Sequence, residues 1–85
     1  MKYEVVWTSD AENDLVTAYL TASDPIAVTR ASHAIDHALE RHPLTFGKAR
    51  SSSVNRVALV PPLGITFEVI EDDKRVFVQG VFASE

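Results

Sequence analysis

The chain contains no cysteine, which excludes disulfides and thiolate metal sites and leaves the cytoplasm as its expected compartment. Long apolar runs are missing as well. No segment approaches the ~20 residues of a membrane-spanning helix, and the opening Met1-Lys2-Tyr3-Glu4-Val5-Val6-Trp7 is too short and too polar for a secretory h-region. The expected protein is therefore neither exported nor membrane-inserted. Basic charge is scarce: eight Lys and Arg face twelve Asp and Glu, for a net charge of −4. Because phosphate binding is driven by clustered cations, this balance argues against general nucleic-acid binding and against DNA binding by the chain alone. Glycine and proline, at three and four residues, are too few for a linker or a low-complexity chain. Their positions read as punctuation instead.

What is present is the composition of an ordinary globular domain, 46% hydrophobic and 24% charged over 85 residues. That length makes one domain, able to bury only about 60–65% of its unfolded surface. The charge is unevenly spread. Residues 1–40 carry seven acids against Lys2 and Arg30, and residues 68–85 carry five against Lys74 and Arg75. Between them, residues 41–67 hold Arg41, Lys48, Arg50 and Arg56 and no carboxylate, with His42 able to add charge below neutral pH. An anionic partner, if there is one, is expected to bind there.

Periodicity gives the element order. Tyr3, Val5 and Trp7 alternate with Lys2, Glu4 and Val6, which predicts a strand over 2–7 with one apolar face. Ser9-Asp10-Ala11-Glu12 fits a capping box with Ser9 as N-cap. The stripe Ala11, Leu15, Ala18, Tyr19 and Ala22 then predicts an amphipathic helix of about three turns. Asp24-Pro25 starts a second helix, with Asp as N-cap and Pro at the first helical position. Its stripe Val28, Ala31, Ile35, Ala38 and Leu39 runs on to His42, where Pro43 stops it. The two helices, joined by two or three residues, should form an antiparallel hairpin on one face of a sheet.

Residues 43–55 read as the longest irregular connection, with Gly47 and Ser51-Ser52-Ser53 supplying flexibility. Three strands follow: Arg56-Val-Ala-Leu-Val, Gly64-Ile-Thr-Phe-Glu-Val-Ile and Arg75-Val-Phe-Val-Gln-Gly-Val-Phe. Pro61-Pro62-Leu63-Gly64 and Glu71-Asp72-Asp73-Lys74 are the turns between them. The expectation is a single α+β domain over residues 1–85, β-α-α-β-β-β, with a two-helix hairpin packed on a mainly antiparallel four-stranded sheet.

With these elements in place, nearly the whole chain resembles the RelE/ParE superfamily of type II toxin–antitoxin systems, sometimes labelled plasmid-stabilisation proteins. The matching features are the short first strand and the helix hairpin ending at Leu39-Glu40-Arg41-His42-Pro43, then Gly47-Lys48-Ala49-Arg50 and the meander from Arg56. The closest local echo is Gly64-Ile65-Thr66-Phe67-Glu68-Val69-Ile70 before the acidic turn. The resemblance implies a growth-inhibiting toxin neutralised by a cognate antitoxin. It also implies a target that is either ribosome-bound mRNA or a protein such as a topoisomerase.

One departure bears on activity. In the ribonuclease branch an arginine on the third strand contacts the scissile phosphate, and its position here is Gly64; a second basic or aromatic group follows the last strand in that branch, whereas Phe82-Ala83-Ser84-Glu85 holds no Tyr, His, Arg or Lys. RNA cleavage needs a base for the 2′-hydroxyl, an acid for the leaving oxygen and cations for the phosphorane. Arg50 and Arg56 remain as catalytic candidates, and Arg41, His42, Lys48, Arg50 and Arg56 as a binding surface. The same residues also fit plain surface roles: Arg50 and Arg56 solvating a loop and a strand end or pairing with Glu68 across the sheet, and His42 facing the C-terminal helix dipole. A detoxified fold that only binds a protein partner is the alternative function.

Two further features have bland explanations beside the sharper ones. His33 and His37 lie four apart on the second helix, a spacing that can hold a metal but here lacks a third ligand, so neither metal nor cofactor is expected. Trp7 and Tyr19 sit on apolar stripes and are expected to pack in the core.

Overall fold

The computed structural model describes residues 2–49 and 55–84. The apolar alternation at the start of the chain forms β1, Glu4–Trp7, and two helices follow, α1 over Ser9–Thr21 and α2 over Pro25–Arg41. Four more strands follow among the described residues: β2 Lys48–Ala49, β3 Asn55–Val60, β4 Leu63–Ile70 and β5 Arg75–Ala83. They form one mixed sheet in the order β1-β5-β4-β3-β2, with β1 parallel to β5 and every other pair antiparallel. Both helices lie on the same face of it. Their stripes close a core of Ala11, Val28, Ala31, Ile35 and Leu39 over Leu63, Ile65, Phe67, Val69, Val76 and Val78. Among the described residues no helix is long and apolar enough to cross a membrane.

The α2 boundaries follow the sequence closely. Asp24 accepts the Ala27 N–H at 3.3 Å as N-cap, and Pro25 opens the helix. His42 is the C-cap, its backbone N–H bonded to the Ala38 carbonyl at 2.8 Å. All five stripe residues of α2 are buried.

Four expectations require correction. The α1 N-cap is Thr8 rather than Ser9: the Thr8 hydroxyl accepts the Ala11 N–H at 3.2 Å and donates to the Val78 carbonyl at 2.9 Å. This places Ala11, not Glu12, at the third helical position, so the reciprocal half of a capping box is absent. Tyr19 is 47% exposed rather than in the core, because the buried side of α1 runs through Ala11, Leu15, Ala18 and Ala22. The sheet has five strands rather than four. The fifth, β2, arises inside the supposedly irregular connection because Gly47, at φ 79°, turns the chain back onto β3. A Cβ at Gly47 would collide with the Val57 carbonyl oxygen and the Ala58 side chain, so glycine alone permits this approach. Finally, Leu63 belongs to β4, which begins one residue before the expected Gly64 and leaves only Pro61-Pro62 between strands.

A break in the sheet register ties α1 to β5. Phe67 faces Val78 and Thr66 faces Gly80, so Gln79 is an extra residue in β5. β1 has already ended at Trp7, opposite Val78, and offers no further partner along that edge. Asp14 of α1 takes its place, accepting the Val81 N–H at 3.2 Å.

Candidate functional site

Among the described residues singled out for charge, Lys48 and Arg56 leave the sheet on opposite faces. Cross-strand partners share a face of a sheet, and Lys48 is opposite Val57 whereas Ala49 is opposite Arg56. Lys48 therefore projects from the open face, away from the helices, and Arg56 from the helix-covered face with its partner Phe67. There the Arg56 guanidinium donates to the Gly47 carbonyl at 3.3 Å, fastening the β2 turn, while its Nε is buried without a partner. The expected pairing of Arg56 with Glu68 is not formed, because the register sets Asn55 opposite Glu68.

Arg41 and His42 are exposed at the end of α2. The His42 ring meets Phe46 edge-on at 6.4 Å, and Phe46 lies 6.1 Å from Phe67. An aromatic chain thus leads from His42 to the cross-strand partner of Arg56. Arg50 lies outside the described residues. His33 and His37 are exposed on α2, and among the described residues no group of three His, Cys, Asp or Glu comes together that could hold a metal.

On the open face, Leu59, Gly64 and Phe82 lie in one row across β3, β4 and β5. The Phe82 ring covers the bare backbone of Gly64, so a Cβ on residue 64 would collide with its Cε2 and Cζ and crowd Leu59. The glycine is used: an aromatic on the neighbouring strand fills the space its missing side chain leaves. Where the family resemblance puts a phosphate-binding arginine, the structure has an apolar row, with Leu59 61% and Phe82 42% exposed.

A second surface was not foreseen from the sequence. Between α1, α2 and β1 runs a groove of about 510 Å³ floored by Val5, Trp7, Leu15 and Val16, with Glu12 and Asp36 on its rim. Trp7 packs against the core, as expected, but is only half-buried, and its indole Nε1 donates to Asp36 Oδ1 at 3.2 Å. A smaller hollow of about 220 Å³ continues the groove along α1 past Tyr19 and Val28. The sequence signal for it was the surplus of apolar residues off the α1 stripe. Val16 and Leu20 serve no core position and are 56% and 74% exposed.

Neither protein-family models nor curated protein sequences match this chain. Solved structures do. A chain of the toxin–antitoxin complex RelBE2 from Mycobacterium tuberculosis superposes with a TM-score of 0.79 at 20% identity, covering 98% of this chain and 99% of that one. The chromosomal ParDE toxin–antitoxin system of P. aeruginosa gives 0.73 at 16% identity, over 99% and 98% of the two chains. A free mutant form of the E. coli toxin RelE gives 0.75 at 16% identity, over 100% of this chain and 86% of that one. Two helices on one face of a small mixed sheet, matched end to end by members of both branches, give this chain the RelE/ParE toxin fold.

Proposed function

We propose that this protein is the toxin-side component of a type II toxin–antitoxin pair, held by a cognate antitoxin and acting in the cytoplasm. The observation that carries this reading is the coverage of the fold match, which spans nearly the whole of both chains. Growth inhibition through a protein target agrees better with the open face than cleavage of ribosome-bound mRNA does. The Leu59–Gly64–Phe82 row offers apolar contact and no cation for a phosphorane, and the nearest arginine of β3, Arg56, faces the other way and holds the Gly47 carbonyl. A topoisomerase is one protein target of the right class; the ribosome with its message is the competing one.

The same row supports a second reading, a fold that has lost toxicity and persists as a protein-binding module. Both readings keep the binding surfaces and differ in the consequence for the cell. Induction of the chain in a bacterial host from a tightly repressed promoter, with soluble protein measured on the same samples, separates them. Growth arrest is the expected result. Normal growth with abundant soluble protein would replace the toxin with the binding module.

A further inference from the structure

We infer that the guanidinium of Arg56, flanked by His42 and Arg41 at the end of α2, binds a phosphate dianion, either free inorganic phosphate or the phosphate of a small phosphomonoester. The site lies on the helix-covered side of the sheet. It is independent of the toxin–antitoxin reading and of the Gly64 row on the open face.

Arg56 is a cation that the chain leaves without an opposite charge. One of its N–H groups goes to the Gly47 carbonyl at 3.3 Å, a long bond to a neutral acceptor, and Nε is buried with no acceptor at all. A guanidinium carries five N–H donors and keeps its full charge at any physiological pH. A buried donor left unpaired costs about 1–3 kcal/mol, and more when the group is charged, so a guanidinium in this state gains by meeting an anion. The chain's own carboxylates do not serve. Residues 41–67 hold none, and Glu68 leaves β4 on the open face, opposite Asn55. Among the described residues the one ion pair is Arg75 with Glu4, toward the β1 edge of the sheet.

A circuit of contacts brings two more basic groups to the same end of the sheet. His42 caps α2, and its carbonyl accepts the Thr45 and Phe46 N–H groups at 3.2 and 3.1 Å. The Phe46 ring meets His42 edge-on at 6.4 Å and Phe67 at 6.1 Å. Phe67 is the cross-strand neighbour of Arg56, and Gly47, next after Phe46, accepts from Arg56. Arg41 and His42 are exposed and Arg56 is half-buried, so an anion arriving at the end of α2 meets solvent-facing basic groups beside an under-satisfied guanidinium. The carbonyl end of a helix repels anions, but here the Ala38, Glu40 and His42 carbonyls already accept the His42, Tyr3 and Phe46 N–H groups. The charge selects phosphate. A phosphomonoester carries about −1.5 to −2 at pH 7, which two arginines and a histidine balance, whereas one carboxylate would leave an arginine uncompensated. The guanidinium fork also holds two phosphate oxygens at once, as a lysine cannot.

The test is titration of the purified chain with sodium phosphate and with ribose 5-phosphate, and at equal ionic strength with sodium chloride and sodium acetate. Nitrogen-15 NMR follows the Arg56 Nε–H and the Phe46 and Gly47 amides. Both phosphates should shift these signals saturably, and chloride and acetate should not. Tighter binding of the sugar ester assigns the site to a phosphomonoester, and equal binding assigns it to the free ion. Arg56→Lys keeps a charge and a donor for Gly47 but loses the fork; it should raise Kd about tenfold while amide exchange of Ala58 stays as in the parent chain. Arg41→Gln and His42→Gln alter exposed side chains and should each raise Kd about two- to fivefold. Lys48→Ala, on the open face, should leave it unaltered. Acetate or chloride acting as well as phosphate would overturn the inference, as would a Kd indifferent to Arg56→Lys and to both exposed variants. So would binding of a single-stranded RNA without terminal phosphates where neither phosphate binds, since these cations would then serve a polynucleotide.

Discussion

Replacing Gly64 by alanine tests whether the Phe82 ring fills the space above that glycine. The new Cβ would occupy the ring's position and come within 2.9 Å of Leu59 Cδ2, so the ring must swing out. Phe82 is 42% exposed, and displacing it would uncover on the order of 40 Å², about 1 kcal/mol at roughly 25 cal/mol per Å². Against this, alanine for glycine in a strand whose dihedrals it can adopt stabilises by about 0.5–1 kcal/mol through the unfolded chain. Gly64→Ala alone should therefore be close to neutral. In a Phe82→Ala background the clash is gone, and the same change should stabilise by roughly 0.5–1 kcal/mol. The double-mutant cycle should show a coupling of about 1 kcal/mol, a melting-point difference of roughly 4–8 °C for a domain of this size. Thermal unfolding of the four proteins reads it directly. Additive effects within about 0.3 kcal/mol would refute the packing, and with it the physical reason for glycine at this position.

Further predictions concern how the elements are held. Asp14→Ala should destabilise by about 1–2 kcal/mol because it strands the Val81 N–H at the β5 bulge, whereas Asp14→Asn, which keeps an acceptor oxygen, should recover most of that loss in urea titrations. Thr8→Ala should cost about 1–2 kcal/mol and Ser9→Ala within about 0.5 kcal/mol; the reverse order would return the cap to Ser9. Phe67→Ala, at a fully buried position under both helices, should cost about 3–5 kcal/mol, enough to leave much of the protein unfolded at 37 °C. Arg56→Ala releases the Gly47 carbonyl and should speed amide exchange of Ala58, whose strand borders the β2 turn, while Lys48→Ala should not.

The architecture was legible where residues act locally. The α2 stripe and its Asp24-Pro25 start depend on spacing and capping within a few positions, and the structure keeps every one of them. The features that were not legible depend on partners distant in sequence. Adjacent hydroxyls at Thr8 and Ser9 compete for the cap, and the Val78 carbonyl, seventy residues on, favours Thr8. A two-residue strand such as β2 has no periodicity to detect and exists because Gly47 can approach Val57. The basic window looked continuous along the chain, yet the β2–β3 register sends Lys48 and Arg56 to opposite faces. Gly64 was visible as a missing arginine, but the Phe82 ring that occupies its place required the β4–β5 register. Alternation put Trp7 on the core face, where it packs, but could not show that the helices above leave it half-buried.

The proposed action on a protein target, as opposed to arginine-assisted RNA cleavage, is tested by adding the purified chain to a cell-free translation reaction and mapping the 5′ ends of the message. The message on the ribosome should stay intact. New ends within the translated frame, appearing with the chain and absent without it, would rule out that mode of action and place a phosphate-cleaving site on this fold despite Gly64.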